Sequence, residues 1–384
     1  MTSQAGQRTS GPAEPARPAP PAPMLQRLIL SSFRNYSHAE LTLGAGVNLV
    51  VGGNGSGKSS LLEAIYLMGT GRSFRTSRLQ RLVNEAAGEA VVYAEVLSQQ
   101  DVLHKVGISR DRQGFTALKM DGANVRGRSE LARLLPVQAF HPGTVDVVEG
   151  PSSARRRYLD WGLFHVEQSF LPLWRQLSGA LQQRNKLLRG GSFSTRELAA
   201  WDQQVASVSD RINGLRTRYL AALLPHLDAV LAHIGELPEV RISLYPGWAE
   251  GEDLLALLAQ DLERDRQRGY TGKGAHRAEL RLSTGAGPVR DVFSRGQTKT
   301  LSYALLLAQL YLLVRSHGGR CLVLVDDLAS ELDEQHSDAV IRALQELGQQ
   351  TLITALSADA LPALARDDAT RVFHVEHGVL NRLE

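Results

Sequence analysis

Lys58 follows a glycine-rich run, Gly52-Gly53-Asn54-Gly55-Ser56-Gly57, and precedes Ser59 and Ser60. The run satisfies the pattern G-x-x-x-x-G-K-[ST] through Gly52, Gly57, Lys58 and Ser59. Glycines let the backbone curl until its N–H groups point at phosphate oxygens, and the start of the following helix adds partial positive charge. In such a loop Lys58 reaches the outer phosphates of a nucleotide and Ser59 is a ligand for Mg²⁺. The plainer alternative is a glycine-rich turn ahead of a helix.

Two further stretches carry the same kind of chemistry. In "CLVLVDDLASELD" (321–333) an apolar strand ends in Asp326, which places a carboxylate at the carboxyl end of a parallel sheet, where it can join a Mg²⁺ shell. Asp327 stands next in line to polarise an attacking water, and the alternative role for both is to cap the next helix. In "DVFSRGQTKTLSYALLLAQLYLL" (291–313), Ser294, Arg295, Gly296 and Gln297 open a long helix, so a hydroxyl and free N–H groups gather at a positive helix end. That makes a second phosphate-binding end, or a simple N-cap.

The elements around these stretches suit the loop. "VNLVV" (47–51) reads as a buried strand entering it and "SSLLEAIYLM" (59–68) as the helix leaving it. Strand-like segments at 90–97, 103–109 and 115–120 form a β-rich flank. Residues 151–235 are mostly helix-forming, with long amphipathic runs and few prolines. A short strand at 239–245 and a helix then lead back to α/β alternation, with strands at 321–325, 351–354 and 370–375. The expected fold is α/β, a P-loop NTPase head with a mixed sheet and an inserted compact α-helical lobe. Its parts are a Pro/Ala-rich extension without order (1–23), the N-terminal part of the head (24–125), the helical lobe (126–238) and the C-terminal part of the head (239–384). Translation from Met24 is an alternative to a start at Met1.

Composition narrows the setting. The 384 residues hold 43% hydrophobic residues, enough for a large core, and one cysteine, Cys321, which fits a reducing compartment and excludes a cysteine-rich metal site. Net charge is only +3, so contact with nucleic acid needs local clusters of Arg and Lys. No stretch approaches the roughly 18 apolar residues of a membrane span, and the N-terminus lacks the apolar core of a signal peptide. A cytoplasmic protein with no membrane partner is expected.

Taken together, the loop, the Ser294–Gln297 helix start and the carboxylate strand resemble ABC-type ATPases. The resemblance implies that ATP is held between two subunits, the loop of one facing the Ser294–Gln297 signature of the other. "DDLASELD" matches the stretch from Walker B to the D-loop residue for residue, making Ser330 to Asp333 the D-loop at the dimer interface. Lys58 and Ser294 are 236 residues apart, too far for a transporter domain and too near for a long coiled coil. With "FRNY" (33–36), "GRSFR" (71–75), "GPSSARRRYLDWGLFH" (150–165), "LQQRNKLLR" (181–189), "GKGAHRAEL" (272–280) and "FSRGQTKTL" (293–301), the chain from Met24 onward resembles the RecF family of DNA gap-repair and recombination mediators.

That resemblance implies an SMC-like ATPase that turns over slowly with stimulation by DNA, with ATP and Mg²⁺ as cofactors. ATP would close a homodimer on double-stranded DNA near gaps or single-strand junctions, and hydrolysis would release it. RecR and RecO would act with it to load RecA and support the SOS response. By match to family motifs, Gln138 in "LLPVQAFHP" is a Q-loop residue and metal partner, and Arg34 contacts the nucleotide. The sequence departs from many ABC ATPases at two points. "LITALSAD" carries Thr354, Ala355 and Ser357 where a switch histidine is common, and Asp327 takes the catalytic glutamate position. Both suit slow hydrolysis.

Arg72, Arg75, Arg78 and Arg81 recur every third residue and, if helical, form a stripe that can follow a phosphate backbone; pairing with acids such as Glu85 is the alternative. Arg155, Arg156 and Arg157 weigh toward a structural role, with Asp160 placed for an i,i+4 pair with Arg156. Arg184, Lys186 and Arg189 follow on a later helix. No run interleaves aromatic with basic residues, which favours duplex binding over base stacking. His141, His165 and His276 lack ligand spacing and read as core or surface residues, with His276 the candidate for an interface. A phosphotransferase, another ABC-type head acting on DNA or chromosome structure, and a module that holds ATP only structurally are the rival functions.

Overall fold

The computed structural model describes residues 22–125, 127–190, 194–235 and 237–383. Residues 1–21 of the Pro/Ala-rich extension lie outside the described residues. The strands are β1 (Leu25–Phe33), β2 (Tyr36–Thr42), β3 (Val47–Val51), β4 (Glu89–Leu97), β5 (Leu103–Asp111), β6 (Thr116–Met120), β7 (Ala123–Asn124) and β8 (Val137–Phe140). They continue with β9 (Arg241–Tyr245), β10 (Glu279–Thr284), β11 (Gly287–Pro288), β12 (Leu322–Val325), β13 (Thr351–Ala355), β14 (Arg371–Glu376) and β15 (Val379–Leu383).

The central sheet has the order β15-β14-β3-β13-β12-β8. Its strands are parallel except β15, which pairs antiparallel on the edge. Both faces are covered, so these strands are short continuous apolar runs rather than alternating ones. The side chains still alternate between two cores. Leu49 and Val51 join the core on the helical-lobe side, while Val50 joins the core shared with the β-rich flank. On β12, Val323 and Val325 take the first side, and Leu322 and Leu324 the second.

The helix Lys58–Thr70 fills the second core, between the central sheet and an antiparallel sheet of order β2-β1-β4-β5-β6-β7. On the other side pack the helices Ser152–Val166, Phe170–Arg189, Thr195–Ile234 and Arg295–Tyr311. Strand β8 lies within the span assigned to the helical lobe, yet it pairs parallel with β12 as the edge of the central sheet. Strand β9 forms as expected but does not return to that sheet. It pairs antiparallel with β10 in a small three-stranded sheet of its own. Among the described residues, no helix is long and apolar enough to cross a membrane.

Several arginines of the lobe hold it together. Arg184 is fully buried and donates to Asp202 at 2.5 Å, Asp265 at 2.7 Å and Thr271 at 3.0 Å. Arg155 reaches Glu279 at 2.5 Å and the Gly150 carbonyl at 2.8 Å. A buried guanidinium is tolerable only with this degree of satisfaction. The i,i+4 pair between Arg156 and Asp160 is not the one formed. Asp160 accepts from Arg216 at 2.7 Å, while Arg156 donates to Ser152 and to the Ala278 carbonyl, because the lobe brings Arg216 closer than the helix's own neighbour.

Candidate nucleotide site

The glycine-rich loop is held by its neighbours on every side. Gly57 caps the helix at φ 128°, and a Cβ there would stand 2.8 Å from both Asn35 and Tyr36. At Gly52 a Cβ would fall 2.2 Å from the Val375 carbonyl, so both positions require glycine. Tyr36 donates its hydroxyl to the Gly57 carbonyl at 3.1 Å, and Asn35 donates to the Ser56 carbonyl at 2.9 Å. The turn between β1 and β2 therefore clamps the loop. Lys58 folds back onto it, donating to the carbonyls of Gly52 at 2.5 Å and Gly53 at 2.9 Å. Burial pushes the Lys58 ammonium's pKa down, with Asp327 and Asp326 opposing. The Ser56 hydroxyl is buried with no protein partner.

Asp326 lies at the end of β12, where it accepts from Ser59 at 2.9 Å and from Thr354 at 3.0 Å. Burial raises its pKa above the usual carboxylate range, and these two hydroxyl bonds oppose the rise. Thr354 also accepts from the backbone N–H of Asp327 at 2.9 Å. Asp327 sits at φ 52° and ψ 53°, in the left-handed region that a non-glycine residue enters at some cost. One threonine thus ties the Asp326 carboxylate to the backbone of Asp327.

A second anchor is Glu63, a fully buried acid on the helix after the loop. It takes both prongs of Arg34 at 2.8 Å each, the Ser73 hydroxyl, and Arg75 at 3.7 Å. Arg34, itself at φ 54°, and Arg75 are so held on the wall of a cleft of about 610 Å³. Asn54, Gly55, Lys58, Ser59, Ser60 and both carboxylates line the same cleft.

Other expected site residues lie elsewhere. Gln138 is buried in the middle of β8, paired with Val323, and lines a different cleft. The structure does not bring it to Ser59 and Asp326, because the register of β8 against β12 sets it opposite Val323, two positions short of the strand end. The arginine stripe does not form either. Residues 71–78 carry no helix, and only Leu79–Leu82 make a short 3₁₀ turn. Arg75 and Arg81 face the nucleotide cleft, Arg72 lines the other cleft, and Arg78 lines neither. The Ser73 hydroxyl accepting from the N–H groups of Arg75 and Thr76 is what holds this segment in an irregular path.

Ser294 caps the helix Arg295–Tyr311 through a reciprocal box with Gln297: it accepts from the Gln297 N–H at 3.3 Å, and the Gln297 side chain accepts from the Ser294 N–H at 2.9 Å. Ser294, Arg295 and Gly296 are exposed and line no part of the cleft around Lys58. Asp333 caps the helix Glu334–Leu347 and binds His336, and it too is exposed. Glu63 and Thr354 were missed as organisers. The signals were a lone acid in the apolar run after the loop and a hydroxyl where a switch histidine is common.

The fold, the loop and the paired carboxylates are those of an ABC-type ATPase head. A family model described as the RecF/RecN/SMC N terminal domain matches residues 24–381. A DNA replication and repair protein RecF from Pseudomonas aeruginosa is 41% identical over 359 residues, covering 93% of this chain and 97% of its own. Its counterpart from Pseudomonas putida is 40% identical over 355 residues, covering 92% and 97%. The chain belongs to the RecF family. Among solved structures, one titled as the recombination mediator protein RecF-ATP in the RecFOR pathway superposes with a TM-score of 0.83 at 26% identity, covering 95% of this chain and 99% of that one. An Smc head from Pyrococcus furiosus shares the fold, with a TM-score of 0.57 at 16% identity over 94% of this chain and 96% of that one.

Proposed function

We propose that this chain binds ATP with Mg²⁺ in the cleft around Lys58 and uses it to close a dimer on double-stranded DNA beside single-strand gaps or junctions. Slow, DNA-stimulated hydrolysis then releases the DNA. One observation carries the proposal. The phosphate loop and the carboxylates share a cleft, but the Ser294 helix start is exposed outside it, so a second copy is needed to supply that end to the nucleotide.

The donor set fits the cofactors. Buried Ser56 has a free hydroxyl, the loop is glycine-lined, and Lys58 is already aimed along it. Ser59 and Asp326 offer adjacent hard oxygens, and Mg²⁺ takes few protein ligands beside phosphate and water. Bound there, Mg²⁺ would offset phosphate charge. Lys58 would leave its loop carbonyls for the outer phosphates, Asp327 would orient water, and Arg34, fixed by Glu63, would hold the nucleotide from the β1–β2 side. With a shorter carboxylate and no switch histidine, this arrangement favours a timed switch over fast turnover.

The similarity to RecF proteins supports a role in recombinational gap repair and fork maintenance with RecR, RecO and RecA, and in the SOS response. Duplex contact is proposed for Arg78, which is exposed and lines neither cleft. The test is binding of a labelled gapped duplex with Mg²⁺ and either ATP or ADP across a salt series. Tight, salt-sensitive binding in ATP that collapses in ADP is expected. Equal, weak binding in both overturns the proposal.

A further inference from the structure

A second cleft of about 630 Å³ lies between the helix Lys58–Thr70 and strand β8 on one side and the helices Ser152–Val166 and Phe170–Arg189 on the other. Its volume is that of a small-ligand site. Half-buried aromatic rings line it from both walls. Phe74 stacks on His141 at 4.8 Å with Tyr66 edge-on at 5.4 Å, and Trp161, Phe164 and Trp174 line the cleft from the lobe, where Arg133 lies over the Phe164 ring and Arg216 over the Trp174 ring. Three arginines, Arg72, Arg128 and Arg157, also line it.

These arginines differ from four others of the lobe. Arg155, Arg156, Arg184 and Arg216 all have firm partners. Among the described residues, the guanidinium groups of Arg72, Arg128 and Arg157 make no hydrogen bond or ion pair. Burial pushes the Tyr66 phenol's pKa up, and the charges of Arg72 and Arg157 oppose the rise. Two carboxylates line the same cleft, Asp146 and Asp160, and Asp160 is committed to Arg216. The cleft therefore combines ring faces with uncommitted positive charge, the combination that holds a base by stacking and its phosphate by charge.

We infer that this cleft receives an unpaired nucleotide of a DNA single strand, its base between Phe74 and Trp161 and its phosphates at Arg128 and Arg157. The inference deepens the proposed function, on which it rests for the nature of the strand. It gives gapped DNA a feature that duplex contact alone cannot read. No sequence run interleaves these residues; the fold assembles them from three separate segments.

The test is fluorescence anisotropy of a labelled thymidine oligonucleotide with the intact chain and with Arg128→Glu/Arg157→Glu, at fixed salt and without ATP, beside a blunt duplex in ATP. The double variant should bind the oligonucleotide at least tenfold more weakly and the blunt duplex within twofold of wild type. Unchanged oligonucleotide affinity in the folded variant, an equal loss for both DNAs, or no oligonucleotide binding by the wild type overturns the inference. So does displacement of the oligonucleotide by free thymidine monophosphate at an equal nucleotide concentration, which would indicate a mononucleotide site. Arg128→Gln/Arg157→Gln repeats the comparison with smaller charge change should the reversal unfold the chain. Failure of the wild-type duplex to bind in ATP would sink the proposed function while leaving the oligonucleotide result readable.

Discussion

Lys299, one turn into the helix that Ser294 caps, pairs with Glu331 of the expected D-loop at 3.0 Å. The pair joins the two segments expected at the face of a second copy, so that a shift in one is felt by the other. Both side chains are partly exposed, which limits the pair to about 0.2–1 kcal/mol. Lys299→Ala should leave ATP affinity unchanged and raise the protein concentration needed for half-maximal ATPase activity by a few-fold, measured as turnover against enzyme concentration.

Thr354→Val keeps the shape of the side chain but removes the hydroxyl shared by Asp326 and Asp327. The Asp327 N–H loses its partner, at a cost of about 1–3 kcal/mol if left unpaired. Turnover should fall about tenfold or more while ATP binding, read by equilibrium titration, stays within twofold. Unchanged turnover would show that the Thr354 hydroxyl does not position Asp326 and the Asp327 backbone for hydrolysis.

Glu63→Ala strands Arg34 in the β1–β2 turn by removing its bidentate partner on the helix after the phosphate loop. Breaking a buried ion pair on one side costs about 3–5 kcal/mol, and the partial exposure of Arg34 lowers this to about 2–3 kcal/mol. A drop of several degrees in Tm and weaker ATP binding should appear together. Glu63→Gln, which retains the hydrogen-bond acceptor, should recover part of both.

Stability should fall on mild acidification. Burial holds His141, His165 and His276 at pKa values of about 4, against about 6.5 for an exposed histidine. Between these values the unfolded chain takes up protons that the folded chain does not. Each histidine therefore subtracts up to about 1.4 kcal/mol per pH unit as pH falls from 6.5 toward 4. Denaturant midpoints measured from pH 7.5 to 5 should decline below pH 6.5, and a flat profile would contradict the burial of these rings.

What the sequence made legible was local. The strand, loop and helix around Lys58 are contiguous, so their pattern alone places them, and the apolar run before Asp326 marks the end of β12. The three strands of the β-rich flank lie within a residue or two of their expected bounds. The rest depended on contacts between distant segments. Gln138 and Phe140 look alike as members of a short apolar run, and only pairing with β12 decides which lies at the strand end. The arginine triplet spacing suggested a helix, but Ser73 and Glu63 hold the segment in another path. The aromatic cleft is divided among stretches some hundred residues apart, beyond the reach of any pattern along the chain.

The central claim is that two copies share each nucleotide, with the exposed Ser294 end of one completing the cleft of the other. Light scattering of the wild type and Ser294→Arg, each at saturating ATP and Mg²⁺ with bound nucleotide verified, measures this directly. The wild type should double its mass in ATP and not in ADP, while Ser294→Arg should bind ATP and remain a monomer. An ATP-dependent dimer of the Ser294→Arg variant would contradict the account.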